Sequence, residues 1–456
     1  MNKFILYGII FLFTFSQITI STGFAEQDNY IKTANQSDQS TWTLLFYLAA
    51  DNPRSYEIEK NIDLWTSIGY SDNINMISLI DGMKTDDTIY CEISNQSINE
   101  LYWPESESDM GNKNTLERFL NHSLTQFPAE HYALFIMSTH GSGWQGLGSD
   151  TSGINSYEKL TLLNLNDYSS ALEKIYQEFN DKIDVIAFDI CVTGMIEVAY
   201  QIKDHCTFMI GTEEHGFSEL AESDEGVNLE WNYSYFLTNI IENPDMKPEE
   251  FVNSIVDSYT PGTYSFKLFD RYPAPSWMPL LKCYSTISSV NLTRFDTVIN
   301  SINTFSLLLA NNIDEYKTSI DQARQEVREY GKLYKKFWFL PSKIYYLHLD
   351  SLGYNCFIDL YDFIQKISIY TNDDLLRSSC NDVMESLTYL ISGNNVLESD
   401  NSHGLSIYFP EYSFQYDVSI WKSIGLKNMK EIPVHYNEIS FSIETNWDEF
   451  LSKYYQ

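Results

Sequence analysis

The stretch 184–197 sets the terms for the rest of the chain. An apolar run from Val185 to Phe188 stops at Asp189 and Cys191, then passes through Thr193-Gly194 into a helix-like pattern with Met195, Ile196 and Ala199 on one face. A short run of this kind, rich in β-branched residues and without alternation, is expected of a strand buried on both sides. Similar runs recur at 42–49, 74–80, 132–138 and 206–210, and amphipathic segments at 114–126, 167–179 and 194–203 lie between them. Strands that alternate with helices need crossover connections, which predicts an α/β fold with a mostly parallel sheet covered on both faces. In such sheets ligands bind beyond the carboxyl ends of the strands, and Cys191 falls at one of those ends.

The remaining signals fill in this outline. Loose alternation over 88–103 around Asn95-Gln96-Ser97 predicts a hairpin. Asn114 and Glu117 have capping-box spacing at the start of a helix through Gln126. Further helices are expected at 233–241 and 249–259, the second entered through Pro248. The α/β domain is placed at 41–270, with Pro273, Pro275 and Pro279 marking its end. Residues 271–456 form a more helical C-terminal region expected to pack on that domain, with long periodic patterns at 292–334 and 374–391, an apolar strand at 404–410 and a helix at 447–454.

A chain of 456 residues with 43% apolar and 15% aromatic content can bury a large core. Its formal net charge of -34 excludes nucleic acid and anionic membrane surfaces as partners, since both require basic patches. Residues 1–25 read as a cleaved signal peptide: Lys3 is followed by an apolar segment, and Gly23-Phe24-Ala25 offers small residues at the two positions that a peptidase reads. No later stretch reaches the roughly 18 apolar residues of a membrane helix, so the mature protein is expected to be secreted or periplasmic and off the membrane. Residues 26–40 are a polar, flexible lead-in. The six cysteines are scattered singly, which writes neither a zinc site nor a disulfide framework, and none of the eight histidines stands at metal-ligand spacing with another.

His140 follows the 132–138 strand as Cys191 follows its own, with one helix between them. If the two strands are parallel neighbours, the side chains can meet above the sheet edge, where an imidazole and the positive end of the following helix would favour a thiolate. Gly141 lets its backbone N–H approach a substrate carbonyl, and with the N–H of Cys191 it could form an oxyanion hole. Asp189, two residues before Cys191, could floor a pocket for an arginine or lysine side chain through a charge-assisted contact. The plainer alternatives are a buried structural cysteine, a polar histidine cap and an aspartate capping the next helix.

Taken together, the His140-Gly141-Ser142-Gly143-Trp144 loop, the block Phe188-Asp189-Ile190-Cys191 with Gly194 to Ala199 behind it, the opening Leu45 to Asn52 and the late run 404–410 resemble the clostripain-like cysteine peptidases, relatives of caspases, legumains and gingipains. The resemblance implies a caspase-like α/β/α sandwich and a secreted endopeptidase that hydrolyses the bond after Arg or Lys. On that reading Cys191 is the nucleophile, His140 protonates the leaving amine, Gly141 and Cys191 form the oxyanion hole, and Asp189 selects the basic side chain with Glu213 and Glu214 lining the rim. Nicking of a precursor is also implied, with Lys159 as the basic residue of the intervening loop. No cofactor is needed for the chemistry, although calcium binding is known in the family, and a monomer acting on peptides or proteins is expected. Ile190 replaces the usual alanine and would reshape the pocket wall, and an acidic stretch at 219–230 departs from the family pattern. A catalytically silent exported binding protein on the same scaffold is the competing function, and the richness in tyrosine, 33 residues, would suit it.

Overall fold

Apolar alternation within β1 (Ser40–Ala49) shows how the molecule is layered. Leu45, Tyr47 and Ala49 belong to one buried cluster and Trp42, Leu44, Phe46 and Leu48 to another, because successive side chains of a strand leave by opposite faces. A computed structural model of the chain describes residues 40–51, 55–94, 96–138, 143–150, 161–214, 231–266, 281–330, 356–398, 400–413, 416 and 435–456. The expected signal peptide at 1–25 and all but the last residue of the lead-in at 26–40 lie outside the described residues.

The further strands are β2 (Ile74–Asp81), β3 (Ile89–Ser94), β4 (Ser97–Glu100), β5 (Ala129–Met137), β6 (Leu147–Asp150), β7 (Thr161–Leu163), β8 (Ile183–Asp189), β9 (Cys206–Gly211), β10 (Thr263–Phe266), β11 (Leu281–Tyr284), β12 (Thr286–Asn291), β13 (Glu329–Tyr330), β14 (Phe357–Asp359), β15 (Ile391–Val396) and β16 (Ser406–Tyr408). Nine of them form the main sheet in the order β15-β12-β9-β8-β5-β1-β2-β3-β4. Its centre, β9-β8-β5-β1-β2, is parallel throughout, and antiparallel strands flank it on both sides. The helices Ser55–Ile68, Tyr233–Glu242 and Pro248–Ser258 cover the Trp42 face. The helices Lys113–Gln126, Leu165–Phe179 and Ile196–Ile202 cover the other, so the fold is the expected α/β/α sandwich.

The division expected at 270/271 does not separate the chain into a pair of bodies. From Gln39 to Gln456 the chain is one compact unit, and β12 and β15, both from beyond residue 270, extend the central sheet past β9. The C-terminal helices Phe295–Asn311, Leu360–Tyr370 and Asp374–Leu390 then continue the same buried cluster that covers the Cys191 side of the sheet. An added strand must bury its apolar side somewhere, and here it uses the existing core. The single long pattern at 292–334 is broken at Asn312 into Phe295–Asn311 and Ile313–Glu326, and the cap of Lys113–Gln126 is Asn112, not Asn114. Among the described residues no helix is long and apolar enough to cross a membrane.

Candidate active site

β5 and β8 are parallel neighbours in a register that sets Met137 opposite Asp189. The chain beyond Met137 leads to His140 three residues on, and that beyond Asp189 leads to Cys191 two residues on, so both leave the sheet at adjacent points of one edge. His140, Gly141 and Lys159 lie outside the described residues. Of the cysteines whose side chains are described, Cys91, Cys206, Cys356 and Cys380 are buried and Cys191 alone reaches the surface. Burial pushes the thiols of Cys91, Cys356 and Cys380 up to about 12, and that of Cys206 upward as well, which leaves them poor nucleophiles.

The turn holding Cys191 is fastened on both sides. Val192 N–H donates to Glu214 O at 3.2 Å and Gly194 N–H to Thr212 O at 2.8 Å, while Gly194 O accepts from Ser406 N–H at 2.8 Å. Thr193 Oγ1 and Thr212 Oγ1 both donate to Ile190 O, at 3.0 and 3.2 Å. Only glycine fits at 194, where an added Cβ would lie 2.9 Å from the Thr212 carbonyl carbon and 3.0 Å from Glu213 N. Val192 is held at φ 56, a left-handed conformation that is strained for a β-branched residue. Strain directly beside a half-buried thiol, fixed by the surrounding hydrogen bonds, is the kind found at functional turns.

This backbone pairing also delays the helix. It begins at Ile196, behind Met195, and runs only seven residues, so Cys191 does not sit at a helix N-terminus as the sequence suggested. Residues 192–194 are spent pairing with the segment after β9 and with the first residue of β16, which leaves the first turn no earlier place to start. Ile190 is buried in the core cluster.

Asp189 is 6% exposed and its Oδ2 accepts from Tyr233 Oη at 3.1 Å. Glu213 and Glu214, expected on a substrate rim, are 0% and 2% exposed and face the C-terminal region instead. Glu214 Oε2 meets Arg328 at 3.4 Å, and the same guanidinium grips Asp400 at 2.7 and 3.1 Å. Glu213 Oε1 accepts from Tyr330 Oη at 2.8 Å. Burial, then the charge of Asp359, raises the Glu213 carboxyl well above its ordinary range. Carboxylates this deep need internal partners, and Arg328 and Tyr330 supply them.

The clostripain family model matches residues 46–454, nearly all of the described chain. The chain belongs to the clostripain family. Clostripain of Hathewaya histolytica is 26% identical over 203 residues, 37% of this chain, and the chain spans 37% of the length of that curated relative. Among solved structures, an inactive zymogen C11 protease from Parabacteroides distasonis is 18% identical with a TM-score of 0.55, over 89% of this chain and 98% of that one. A secreted C11 cysteine protease from Bacteroides thetaiotaomicron, solved with an irreversible peptide inhibitor, is 14% identical with a TM-score of 0.56, over 90% and 99%. At those identities the two likenesses bear on the fold, and both agree with the sandwich described above.

In this clostripain-family chain three further features were not read from the sequence. Arg328 and Tyr330 sit at the end of a helical pattern and gave no sign of reaching back to residues 213–214. Glu197 was read as belonging to a family block without a role; it is fully buried, and burial pushes its carboxyl up to about 7 against the hydrogen bonds it accepts from Tyr408 and Tyr436. Asp81, Asp87 and Glu107 bring one carboxylate oxygen each within 4.8 Å of one another at the carboxyl end of β2. Glu107 Oε1 is buried there without a hydrogen-bond partner, and burial together with Asp87, Asp51 and Asp86 raises its carboxyl. An all-oxygen set of this charge suits a hard divalent cation such as calcium. The clue was Asp81-Gly82 followed by Asp86-Asp87, but Glu107 comes from 20 residues later and only the fold joins it to them.

Proposed function

We propose that this protein is an exported cysteine endopeptidase that cuts after Arg or Lys, with Cys191 as nucleophile and His140 as its proton partner. The observation that supports the reading is the β5–β8 register, which sets Cys191, the one surface-reaching thiol among the described side chains, just past the strand that neighbours β5, after which the chain leads to His140. The Cys191 thiolate attacks the peptide carbonyl carbon while the N–H groups of Gly141 and Cys191 receive the developing oxyanion. The C–N bond then breaks as the His140 imidazolium gives its proton to the leaving amine. Water, deprotonated by His140, hydrolyses the thioester, releasing the acid product and restoring the thiol.

Asp189 is the specificity group of this reading. It lies beside Cys191 at the same strand end, and a basic side chain would neutralise a carboxylate that otherwise opposes the thiolate. Glu213 and Glu214 support the pocket through the loop they anchor and make no direct contact with substrate. Cleavage after Lys159 is proposed as the activating nick. Asp150 pairs with Thr161 across β6 and β7, so a cut within 151–160 leaves both new ends held by paired strands. The chemistry uses no cofactor, and Asp81, Asp87 and Glu107 would hold a calcium ion as a structural ligand, stabilising the loop between β2 and β3.

The test is a peptide panel that varies only the residue before the scissile bond. Cleavage confined to Arg and Lys, abolished by Cys191→Ala and weakened by roughly 2–5 kcal/mol of transition-state binding in Asp189→Asn, is the expected result. Undiminished turnover by Cys191→Ala overturns the assignment.

A further inference from the structure

Ser138 and Gly143 are the described residues on either side of 139–142, the stretch of sequence that holds His140. Ser138 is buried at the end of β5, and Gly143 re-enters at φ 59, pressed so closely that an added Cβ would lie 2.2 Å from Met195 Sδ and 3.2 Å from Phe357 Cε1. Trp144, next in the chain, is fully buried. Its ring meets Tyr408 edge-on at 5.2 Å and Tyr436 at 5.1 Å. Those two residues in turn hold Glu197: Tyr408 N–H and Tyr436 Oη–H each donate to Glu197 Oε1 at 2.8 Å. Glu197 stands on the helix that follows Cys191, and the backbone between them is pinned to β16 at Gly194 and Met195. Trp144 Nε1 and Glu197 Oε2 are both buried without hydrogen-bond partners, a donor and an acceptor left over on the two residues that this socket brings together.

We infer that Trp144 and Glu197 are positioning residues that fix the His140 segment to the Cys191 loop, through a socket of Phe357, Tyr408 and Tyr436 supplied by the C-terminal region. The inference rests on the dyad proposed above and gives residues 356–456 a role in the reaction. Stability alone would not call for an acid at 197. A buried carboxyl is costly to desolvate, and an apolar side chain of similar volume would pack the same box as well or better. What an apolar residue could not do is accept from the backbone of β16 and from Tyr436 at once, and that double contact sets where the Trp144 ring can lie. A displacement of about 1 Å in a segment that carries a proton-transfer group is enough to cost about 100-fold in rate.

The full-length active protein is compared with Glu197→Gln, Glu197→Leu, Trp144→Phe and, as a core control away from the socket, Leu124→Ala. Turnover of an arginyl peptide, the pH profile of Cys191 alkylation by iodoacetamide, and the melting temperature are read for each. Glu197→Leu and Trp144→Phe are expected to lower kcat about 100-fold with KM within about twofold, and to lose the imidazole-assisted limb of the alkylation profile at low pH. Glu197→Gln keeps the acceptor and should recover both readouts; Leu124→Ala should lower the melting temperature and change neither. If Glu197→Leu does not fold, Trp144→Phe carries the test. Lowered melting temperature with kcat and the alkylation profile intact in the socket variants would reduce the socket to packing and overturn the inference. Activity retained by Cys191→Ala would instead remove the dyad itself, so the two failures are told apart.

Discussion

Two groups of carboxyls stand at the carboxyl edge of the same sheet and are balanced in opposite ways. Behind β9, Glu213 and Glu214 face Asp359 and Asp400 across Arg328 and Tyr330. The guanidinium serves Glu214 and Asp400 together, and Tyr330 Oη lies 2.8 Å from Glu213 and 2.9 Å from Asp359. One hydroxyl has one proton to give, so two ionised carboxylates cannot both receive it. Burial and then the charge of Asp359 raise the Glu213 carboxyl well above its ordinary range, which favours its neutral form and eases the competition for the Tyr330 hydroxyl. Behind β2, Asp81, Asp87 and Glu107 face one another, and Asp87 and Glu107 are met by backbone donors, Gly82 and Lys84 N–H at 3.0 Å and Asp86 N–H at 2.7 Å. The first group is closed from within by the Arg328 guanidinium and the Tyr330 hydroxyl. The second brings one oxygen from each carboxyl within 4.8 Å of the others, where a cation from solution would complete it.

The largest expected effect comes from breaking the closed group. Arg328→Met leaves Glu214 and Asp400 buried without their cation, and a loss of about 3–5 kcal/mol in denaturant unfolding is expected. Replacing Glu214 by Gln in the same chain should return some of that loss. A cost below about 1 kcal/mol for Arg328→Met would mean that the pair is solvated and the contrast with the β2 group is wrong.

Glu197 sharpens the comparison, because hydrogen bonds alone support it. Its carboxyl rises from 4.5 to about 7, so the folded state holds a proton that the unfolded chain has released. Stability from this group is complete below the unfolded value and is lost as pH rises through the folded one, a decline of about 3 kcal/mol across that window. Glu197→Gln should flatten this stretch of the stability profile, measured by denaturation from about pH 4.5 to about pH 7.5. An unaltered slope would show that Glu197 is already ionised.

Much of the closed group's neighbourhood was legible in advance and its partners were not. Runs such as 132–138 and 185–188 announce buried parallel strands, because only a strand covered on both faces drops its polar alternation. The positions of Asp189 and Cys191 at a strand end follow from those runs. Glu213 and Glu214 carried no sign of their burial, since an acidic pair after a strand looks the same whether solvent or Arg328 receives it. That outcome was decided by β13, β14 and β16, a small sheet made of segments far apart in the chain, whose short strands have no periodicity to read. The proline-marked boundary was silent on packing for a related reason. Prolines 273, 275 and 279 do punctuate the chain, but β12 re-enters the old sheet directly afterwards, and a composition break says nothing about which sheet the next strand joins.

The open group is expected to respond to cations where the closed one does not. Calcium at about 100 times its dissociation constant should raise stability by about 2.7 kcal/mol, and Asp87→Asn should remove that gain, read as melting temperature with calcium and with chelator. Arg328→Met should leave the calcium response in place.

The smallest effect is the most discriminating, because it should change sign. Glu107 is raised first by burial and then by the like charges of Asp87, Asp51 and Asp86, so in chelator Glu107→Gln relieves an unfavourable charge and should stabilise. With calcium present the same substitution removes a ligand oxygen's charge and should destabilise. The pH dependence follows the same logic. In chelator the raised Glu107 carboxyl makes stability fall as pH climbs through its folded value, and a bound cation reverses this by favouring the ionised form. If Glu107→Gln moves stability in the same direction with and without calcium, the three carboxyls are a hydrogen-bonded turn like any other, and the two acidic groups differ in exposure alone.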